Sequence, residues 1–289
     1  MGQRLRPRAE LDPPEGQRTR YTPATHDLPS LDDLGRDLVA VPLWRRALAL
    51  AMPFAGCAAF FVCAARGWAV AALACTMVLT FITYGSTSHD LVHRTLALPR
   101  PLEDALLCAM ELICFRSGHA YRFTHLHHHA SFPADDDLEA EAAKMTFVQA
   151  MLAGITLQPR LWLFAWRRAR HERAWMAGEA AAVVAMLIAS VAVIPITPIP
   201  AIYAALMIAG SWTFPIITAW LPHIAAGTTE LTRTRLFRGL VLEMLAFEHL
   251  YHLEHHLYPR VPHQNWRRLA RRLDPHFATA GIAPVKLFF

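Results

Sequence analysis

The chain has 289 residues, 54% of them hydrophobic, and a formal net charge of +5 at pH 7. Its positive residues flank apolar segments and no nucleic-acid recognition motif is present, so anionic headgroups and an acidic protein are the expected partners. The five cysteines lie in apolar segments without CxxC spacing, which disfavours disulfides and cysteine ligands. No GxSxG motif supports hydrolytic serine chemistry.

The N-terminal segment, residues 1–44, is expected to be flexible and cytoplasmic. Its first 40 residues are rich in arginine, proline and acidic residues and lack sustained periodicity, as disordered segments do. No early apolar region resembles a signal peptide, so the first membrane span is expected to direct insertion. We divide the rest of the chain into a membrane domain at 45–275 and a tail at 276–289.

Four apolar stretches are long enough to cross a bilayer, which takes about 20 residues. They occupy residues 47–65, 68–88, 175–194 and 201–221. Only Arg66 and Gly67 separate the first two, and a proline-rich turn separates the last two. Glu179, the one charge in the second pair, can reach the interface or meet a partner. We predict an all-α integral membrane protein with four transmembrane helices in two hairpins.

Lysines and arginines orient these spans. Residues 1–46 contain 8 of them, residues 88–174 contain 10 and residues 222–289 contain 9, whereas the first hairpin has only Arg66 and the second has none. Positive charge marks the cytoplasmic side. Both termini are therefore expected in the cytoplasm, with the protein in a membrane such as the bacterial inner membrane.

Two further apolar stretches, at 102–115 and 145–166, are interrupted by charges or proline. Charges are costly at the centre of a bilayer but tolerated at its edge. We expect both stretches to form helices in the membrane interface, although packing within a cytoplasmic domain is nearly as well supported for 102–115.

Histidines are concentrated in three windows: HDLVH at 89–93, HLHHH at 125–129 and HLYHLEHH at 249–256. These 18 residues hold 10 of the 16 histidines. Neither a solvated surface nor an apolar core requires this crowding, whereas metal ligation does. One HxxxH pair can arise by chance, but three such windows together predict a metal centre at the cytoplasmic ends of the spans.

Helical spacing places the histidines of each window on a shared face, because residues three and four apart are neighbours on a helix. His89 and His93 form one such pair. Neutral imidazole is a ligand for iron, zinc or copper, and eight imidazoles from three segments are too many for one ion. Two metals therefore fit better than one.

The pattern HxxxH, HxxHH, HxxHH resembles that of the membrane fatty acid desaturase superfamily, over roughly residues 45–275. The resemblance implies a di-iron, O2-dependent oxidoreductase with an external electron donor, such as a ferredoxin or cytochrome, because the chain lacks an HPGG haem segment and paired CxxC motifs. The histidines matched to family ligands are His89, His93, His125, His128, His129, His252, His255 and His256.

Members of this superfamily often have a further ligand at the end of the last membrane helix, and His223 in WLPH matches it. Acyl-CoA desaturases place an asparagine four residues earlier, where this chain has Ala219. The chain departs from the acyl-CoA desaturase pattern at this position, so a water-mediated contact from an asparagine side chain is not expected here.

Other polar residues near the boxes are given supporting roles. Because each ligand's free N–H needs an acceptor, we consider Asp90, Glu254 and the cluster 135–137 as acceptors, although a solvated loop explains the cluster equally well. His249 shares the arc of the third box, but the family pattern places it beside the ligands. His127 points away from its box, and for His119 a surface role is preferred to bonding a ligand.

The expected substrate is a long apolar lipid, with Tyr84, Trp212 and Trp220 as candidate lining residues. Acyl-lipid desaturation is preferred as the commoner activity of the superfamily. Carotenoid ring hydroxylation or ketolation is the close alternative, because these enzymes share the HDxxH box and WLPH resembles the ketolase pattern. A metal transporter is a more distant alternative, disfavoured because the predicted spans contain no histidine. A bis-histidine haem protein would need fewer ligands.

Overall fold

The computed structural model describes residues 28–239 and 249–286, which are predominantly helical. The helices are α1 Leu31–Leu34, α2 Leu43–Ala65, α3 Ala69–Ile82, α4 Ser88–Val92, α5 Arg100–Leu112, α6 Gly118–Ser131, α7 Phe147–Arg168, α8 Arg173–Ala192, α9 Ile199–Ser211, α10 Glu230–Arg233, α11 His252–Leu257 and α12 Trp266–Thr279. Two short strands, β1 Phe237–Arg238 and β2 Val285–Lys286, pair in parallel. The flexibility expected for residues 1–27 lies outside the described residues.

Within the described chain, four helical segments are long and apolar enough to cross a membrane. They are Arg36–Ala65, Ala69–Val92, Arg170–Ala192 and Ile199–Trp220. Large apolar side chains on these segments face outward, including Val70, which is 84% exposed, and Ile188, which is 65% exposed. Exposure of this kind suits contact with lipid. The protein is therefore a membrane protein with four candidate spans, as the sequence predicts.

Both spans that lead to predicted ligands contain a π-helical segment in their last part. Thr83–Thr87 joins α3 to α4, and Pro215–Trp220 follows α9. A π segment adds a residue to a turn and rotates the chain beyond it, and such segments often occur at functional sites. The second span extends to Val92. The span therefore ends four residues beyond the boundary drawn from sequence at residue 88, and His89 lies in its last turn.

The charge in the third span has buried partners. Glu179 is 1% exposed and accepts hydrogen bonds from the Ser117 hydroxyl at 2.5 Å and from His119 Nδ1 at 2.7 Å. The expectation that His119 faces water is wrong, because its ring is buried and stacked on Trp175. The sequence could not show that the start of α6 packs against α8.

A second apolar core joins the two ends of the described chain beside the histidine boxes. Trp266, Leu269, Leu273 and Phe277 recur every three or four residues and bury one face of α12, as expected for an amphipathic helix. Leu34 and Leu38 join the same core. Residues on both sides of positions 44 and 275 therefore contribute to this core.

The stretches expected in the interface are helical, as α5 and α7. α7 exposes a run of large apolar side chains: Phe147, Val148, Met151, Leu152 and Ile155. Its opposite face packs closely against the end of α9, where Gly154 lies against the Trp212 backbone. α5 packs against α4, α6 and α8 and buries Glu103 and Glu111. α7 therefore has the lipid-compatible face that an interfacial helix needs.

Candidate metal centre

Nine histidines form two groups in which one ring nitrogen of each member lies within 4.8 Å of those of all the others. The five-histidine group is His89, His93, His125, His129 and His255. The four-histidine group is His128, His223, His252 and His256. Their members are the nine histidines predicted from sequence as ligands, and each group includes residues from distant parts of the chain.

Helical geometry explains how the boxes are shared between the groups. Histidines four residues apart stay together: His125 and His129 lie in the five-histidine group, whereas His252 and His256 lie in the four-histidine group. The remaining histidine of each box, His128 or His255, lies on a neighbouring arc and joins the opposite group. Boxes two and three therefore each contribute to both groups.

The ring nitrogens lie very close together. Lone pairs of neutral imidazoles repel one another at such distances unless a proton or a cation lies between them. His255 Nε2 lies 2.7 Å from His129 Nε2, which is 3.1 Å from His125 Nε2. In the four-histidine group, His256 Nε2 lies 3.1 Å from that of His252 and 3.2 Å from that of His223. The buried Nε2 of His93 has no hydrogen-bond partner among the described residues. This convergence fits two metal ions, one at each group.

Two carboxylates fix ring orientations from behind the groups. His125 Nδ1 donates to Glu139 at 2.8 Å, and His128 Nδ1 donates to Asp137 at 2.7 Å. With Nδ1 protonated, each Nε2 presents its lone pair to the group, an arrangement typical of metal-binding histidines. Asp137 belongs to the cluster considered from sequence, whereas Glu139 was missed because nothing in its spacing marks it.

The rest of the aspartate cluster lies at the surface. Asp135 pairs with Lys144 at 2.7 Å, and Asp136 lies 3.1 Å from Arg168 and 3.5 Å from His127 Nε2. His127 belongs to neither histidine group. The solvated-loop interpretation therefore holds for these two aspartates, and His127 points away from its box as expected.

Burial keeps most of these imidazoles neutral. It lowers the pKa of His93 to about 4, despite an opposing effect of the Asp90 charge. It lowers the pKa of His125, His129, His223, His252, His255 and His256 well below the ordinary value. Burial also lowers the pKa of His128, but the hydrogen bond to Asp137 and the charge of that carboxylate outweigh it, so the net pKa is raised. Neutral rings have the free lone pair that a metal needs.

Asp90 has a different partner from the one expected. Its carboxylate accepts from the Nδ1 of His263 at 2.6 Å and from the backbone N–H of the same residue at 2.9 Å, not from a box histidine. This bond fixes the segment that leads into α12. Trp266 at the start of that helix lies with its ring 4.9 Å from the His255 ring and 5.3 Å from the His89 ring.

Two other residues considered as supporting partners are buried beside the centre. The His249 ring lies 5.4 Å from that of His252, outside both groups, and packs against Gly85, where an added Cβ would lie 2.7 Å from Nδ1. Glu254 is fully buried and ion-pairs with Arg238 at 2.6 Å. Burial raises the pKa of Glu254 to about 7, against the Arg238 charge.

The end of the fourth span is tied to the loop after it. His223 forms an isolated bridge with Thr234, and the Arg235 guanidinium binds three backbone carbonyls, those of Trp220, Leu221 and His223. A cation at the carbonyl end of a helix satisfies its last acceptors. Arg235 therefore holds the turn that presents His223. Ala219 is buried, and its carbonyl accepts from the His223 backbone N–H.

A cavity of about 310 Å³ lies between α6, α7 and α8. Tyr84, expected as a lining residue, forms part of its wall with Tyr121, and the two rings stack at 4.2 Å. The Tyr84 hydroxyl lies 3.4 Å from the Glu139 carboxylate that also holds His125. Trp212 and Trp220 do not line it; Trp212 is 40% exposed and Trp220 packs on Phe147.

A family model described as "Fatty acid desaturase" matches residues 66–287. The comparison with individual curated proteins gave no match. The matched region covers more than half of the chain and includes the three boxes, His223 and both carboxylates that bond box histidines. The protein therefore belongs to the fatty acid desaturase family.

Proposed function

We propose that the protein is a di-iron, O2-dependent oxidoreductase that acts on C–H bonds of a long apolar lipid at the cytoplasmic surface of the membrane. The main support for this proposal is that nine imidazoles converge into groups of five and four at the ends of apolar spans. In this proposal the spans form two hairpins, and both termini and both histidine groups are cytoplasmic, because lysine and arginine concentrate outside the hairpin loops.

Iron is the proposed metal because imidazole ligands are compatible with it and because the resemblance to the desaturase superfamily implies a di-iron centre. Imidazole also suits zinc and copper, so ligand type alone does not choose. Iron at both groups would supply, with O2 and two electrons, the oxidising power to remove hydrogen from an unactivated C–H bond. Forming one double bond removes two hydrogens from the lipid and, with O2, two electrons and two protons, gives two waters.

The chain's own residues prepare this centre in three ways. Glu139 and Asp137 keep the Nδ1 atoms of His125 and His128 protonated, so their Nε2 atoms are free to bind metal. Burial of the rings excludes bulk water from the groups. The spans and the exposed apolar face of α7 place the centre where a lipid can approach sideways.

Acyl-lipid desaturation is the proposed reaction, and carotenoid ring hydroxylation or ketolation is the alternative. The family description favours acyl chains, while the WLPH sequence around His223 favours the ring substrate. Metal transport is disfavoured because the histidine groups gather at the ends of the spans and not along a path through their middle.

Expression in a host that makes both fatty acids and β-carotene tests the reaction. A new acyl double bond with unchanged pigment supports desaturation, whereas hydroxylated or keto carotenoid with unchanged acyl chains assigns the alternative. Protein purified without oxygen should contain about two irons per chain. Stoichiometric zinc in freshly isolated, active protein would overturn the di-iron proposal.

A further inference from the structure

The cavity between α6, α7 and α8 is mostly apolar but has two polar groups without a partner. Arg116 and Gln158 line it together with aromatic and aliphatic side chains. The buried Nη1 of Arg116 and the buried Nε2 of Gln158 have no hydrogen-bond partner among the described residues. Buried N–H donors are rarely left unpaired in native proteins, so a pair of them in one cavity points to a ligand with an acceptor.

The rest of the Arg116 guanidinium is held rigidly. Its Nε lies 2.7 Å from Glu111, its Nη2 lies 2.8 Å from the Thr83 hydroxyl, and Arg116 as a whole is 4% exposed. The guanidinium also lies over the Phe214 ring, at 4.8 Å. Only Nη1 is left to bond a molecule in the cavity.

The charges around Arg116 indicate whether the acceptor in the cavity is charged or uncharged. Glu111 is fully buried and already neutralises Arg116. A carboxylate in the cavity would add an uncompensated buried charge, which is strongly unfavourable. An uncharged carbonyl, ether or hydroxyl oxygen accepts from the same donors without that penalty.

The position of the cavity matches a lipid ligand. Val184, which is 54% exposed on the third span, forms part of its wall, so the cavity borders the surface that faces lipid. Tyr84 and Tyr121 also line the cavity, and the Tyr121 ring lies 5.5 Å from the ring of His125, a member of the five-histidine group. A volume of about 310 Å³ holds only part of a long lipid.

We propose that this cavity binds an uncharged oxygen of an otherwise apolar lipid, with Arg116 and Gln158 as hydrogen-bond donors. Taking this lipid as the substrate rests on the proposed function, and it makes neutral acyl esters, or ring lipids that already carry an uncharged oxygen, the substrate class, and not free fatty acids. The rings of Tyr84 and Tyr121 then determine the path that the apolar part of this lipid takes toward the histidines.

Equilibrium binding of labelled probes to the full-length protein, in a detergent without ester groups, tests the proposal. The acyl arm compares methyl stearate, stearate and octadecane, and the ring arm compares isophorone, a trimethylcyclohexene ring ketone, with its deoxygenated analogue. In at least one arm the uncharged oxygen-bearing probe should bind about tenfold tighter than its hydrocarbon. The arm that shows this preference identifies whether the oxygen belongs to an acyl ester or to a ring.

Two variants examine the donors separately. Gln158→Met removes one donor, and the double variant Arg116→Met with Glu111→Gln removes the guanidinium without stranding its partner's charge. Each should reduce the preference to about threefold or less, because one hydrogen bond is lost. Thr156→Val, at an exposed position of the same helix, is the matched control and should retain it.

Three outcomes would overturn the proposal: hydrocarbons that bind as tightly as the oxygen-bearing probes, stearate as the tightest ligand, or an unchanged preference in both donor variants. Probe binding requires neither iron nor O2. A failure of the di-iron proposal, seen as zinc content or as unaltered lipids, would therefore be distinguishable from a failure of this one.

Discussion

Asp137 holds the His128 ring through a single hydrogen bond of 2.7 Å from Nδ1, on the side of the ring that faces away from the four-histidine group. The side chains of both residues are almost fully buried. The bond fixes the tautomer that presents the Nε2 lone pair, so the carboxylate would support metal binding at this group without itself contacting the metal.

Replacing this carboxylate should weaken metal binding. We expect Asp137→Asn to lower Fe(II) affinity by about tenfold, because the weaker acceptor orients the ring less firmly and makes it less basic. Competition with a chromogenic chelator measures this affinity. Asp136→Asn is the matched control, since its partners are the exposed Arg168 and the half-buried His127, which belongs to neither group. Equal affinities of the two variants would contradict the role of Asp137.

The unequal group sizes predict an asymmetry in metal content. His252→Ala leaves three histidines in its group and should lower bound iron from about two to about one per chain, whereas His93→Ala leaves four and should keep about two. Both should abolish turnover. His127→Ala, outside both groups, should change neither property. Metal analysis of protein purified without oxygen measures the content, and equal iron loss in the first two variants would refute the grouping.

The grouping of ligands was only partly predictable from sequence. The four-residue spacing of His125 and His129 shows that they share a helix face, and this relation persists in the structure. Which group His128 joins depends on how α6 and α11 pack against each other. His128 Nε2 lies 3.3 Å from His256 Nε2, although the two residues are 128 positions apart in the sequence. No periodicity within one box contains that information.

Acceptors for the ligand rings were harder to predict than the ligands. Asp90 is adjacent to His89 in sequence, but a helix sends adjacent side chains in different directions, and Asp90 bonds His263 instead. Glu139 bonds His125 because the segment after α6 folds back over that helix. The spans were easier to predict, since hydropathy alone decides whether a 20-residue helix prefers lipid.

Close packing of α7 against the end of α9 depends on one glycine. A Cβ on Gly154 would lie 1.9 Å from the Trp212 carbonyl oxygen, and this backbone cannot move aside cheaply. Gly154→Ala should therefore separate the two elements and destabilise the protein by about 1–3 kcal/mol. Gly178→Ala, where an added Cβ meets no atom within 4 Å, is the matched control and should be neutral or slightly stabilising. Thermal unfolding in detergent compares the variants, and equal midpoints would show that α7 adjusts freely.

Electron supply provides the last prediction. Arg271 is exposed on α12, the helix whose first residue, Trp266, contacts the His255 ring. An acidic ferredoxin or cytochrome docked on this basic face would lie close to the five-histidine group. Because salt of about 0.1 M screens exposed charges beyond about 10 Å, donor-supported turnover should fall as ionic strength rises.

Arg271→Glu should raise the KM for such a donor severalfold, whereas Arg66→Gln, in the loop between α2 and α3, should leave it unchanged. Turnover driven by dithionite, which needs no docking surface, should be the same in both variants and insensitive to salt. Steady-state kinetics with each reductant separates docking from chemistry. Activity sustained by NADPH alone, without an added carrier protein, would contradict a separate donor, because no second redox protein would then be needed to bring electrons to the histidine groups.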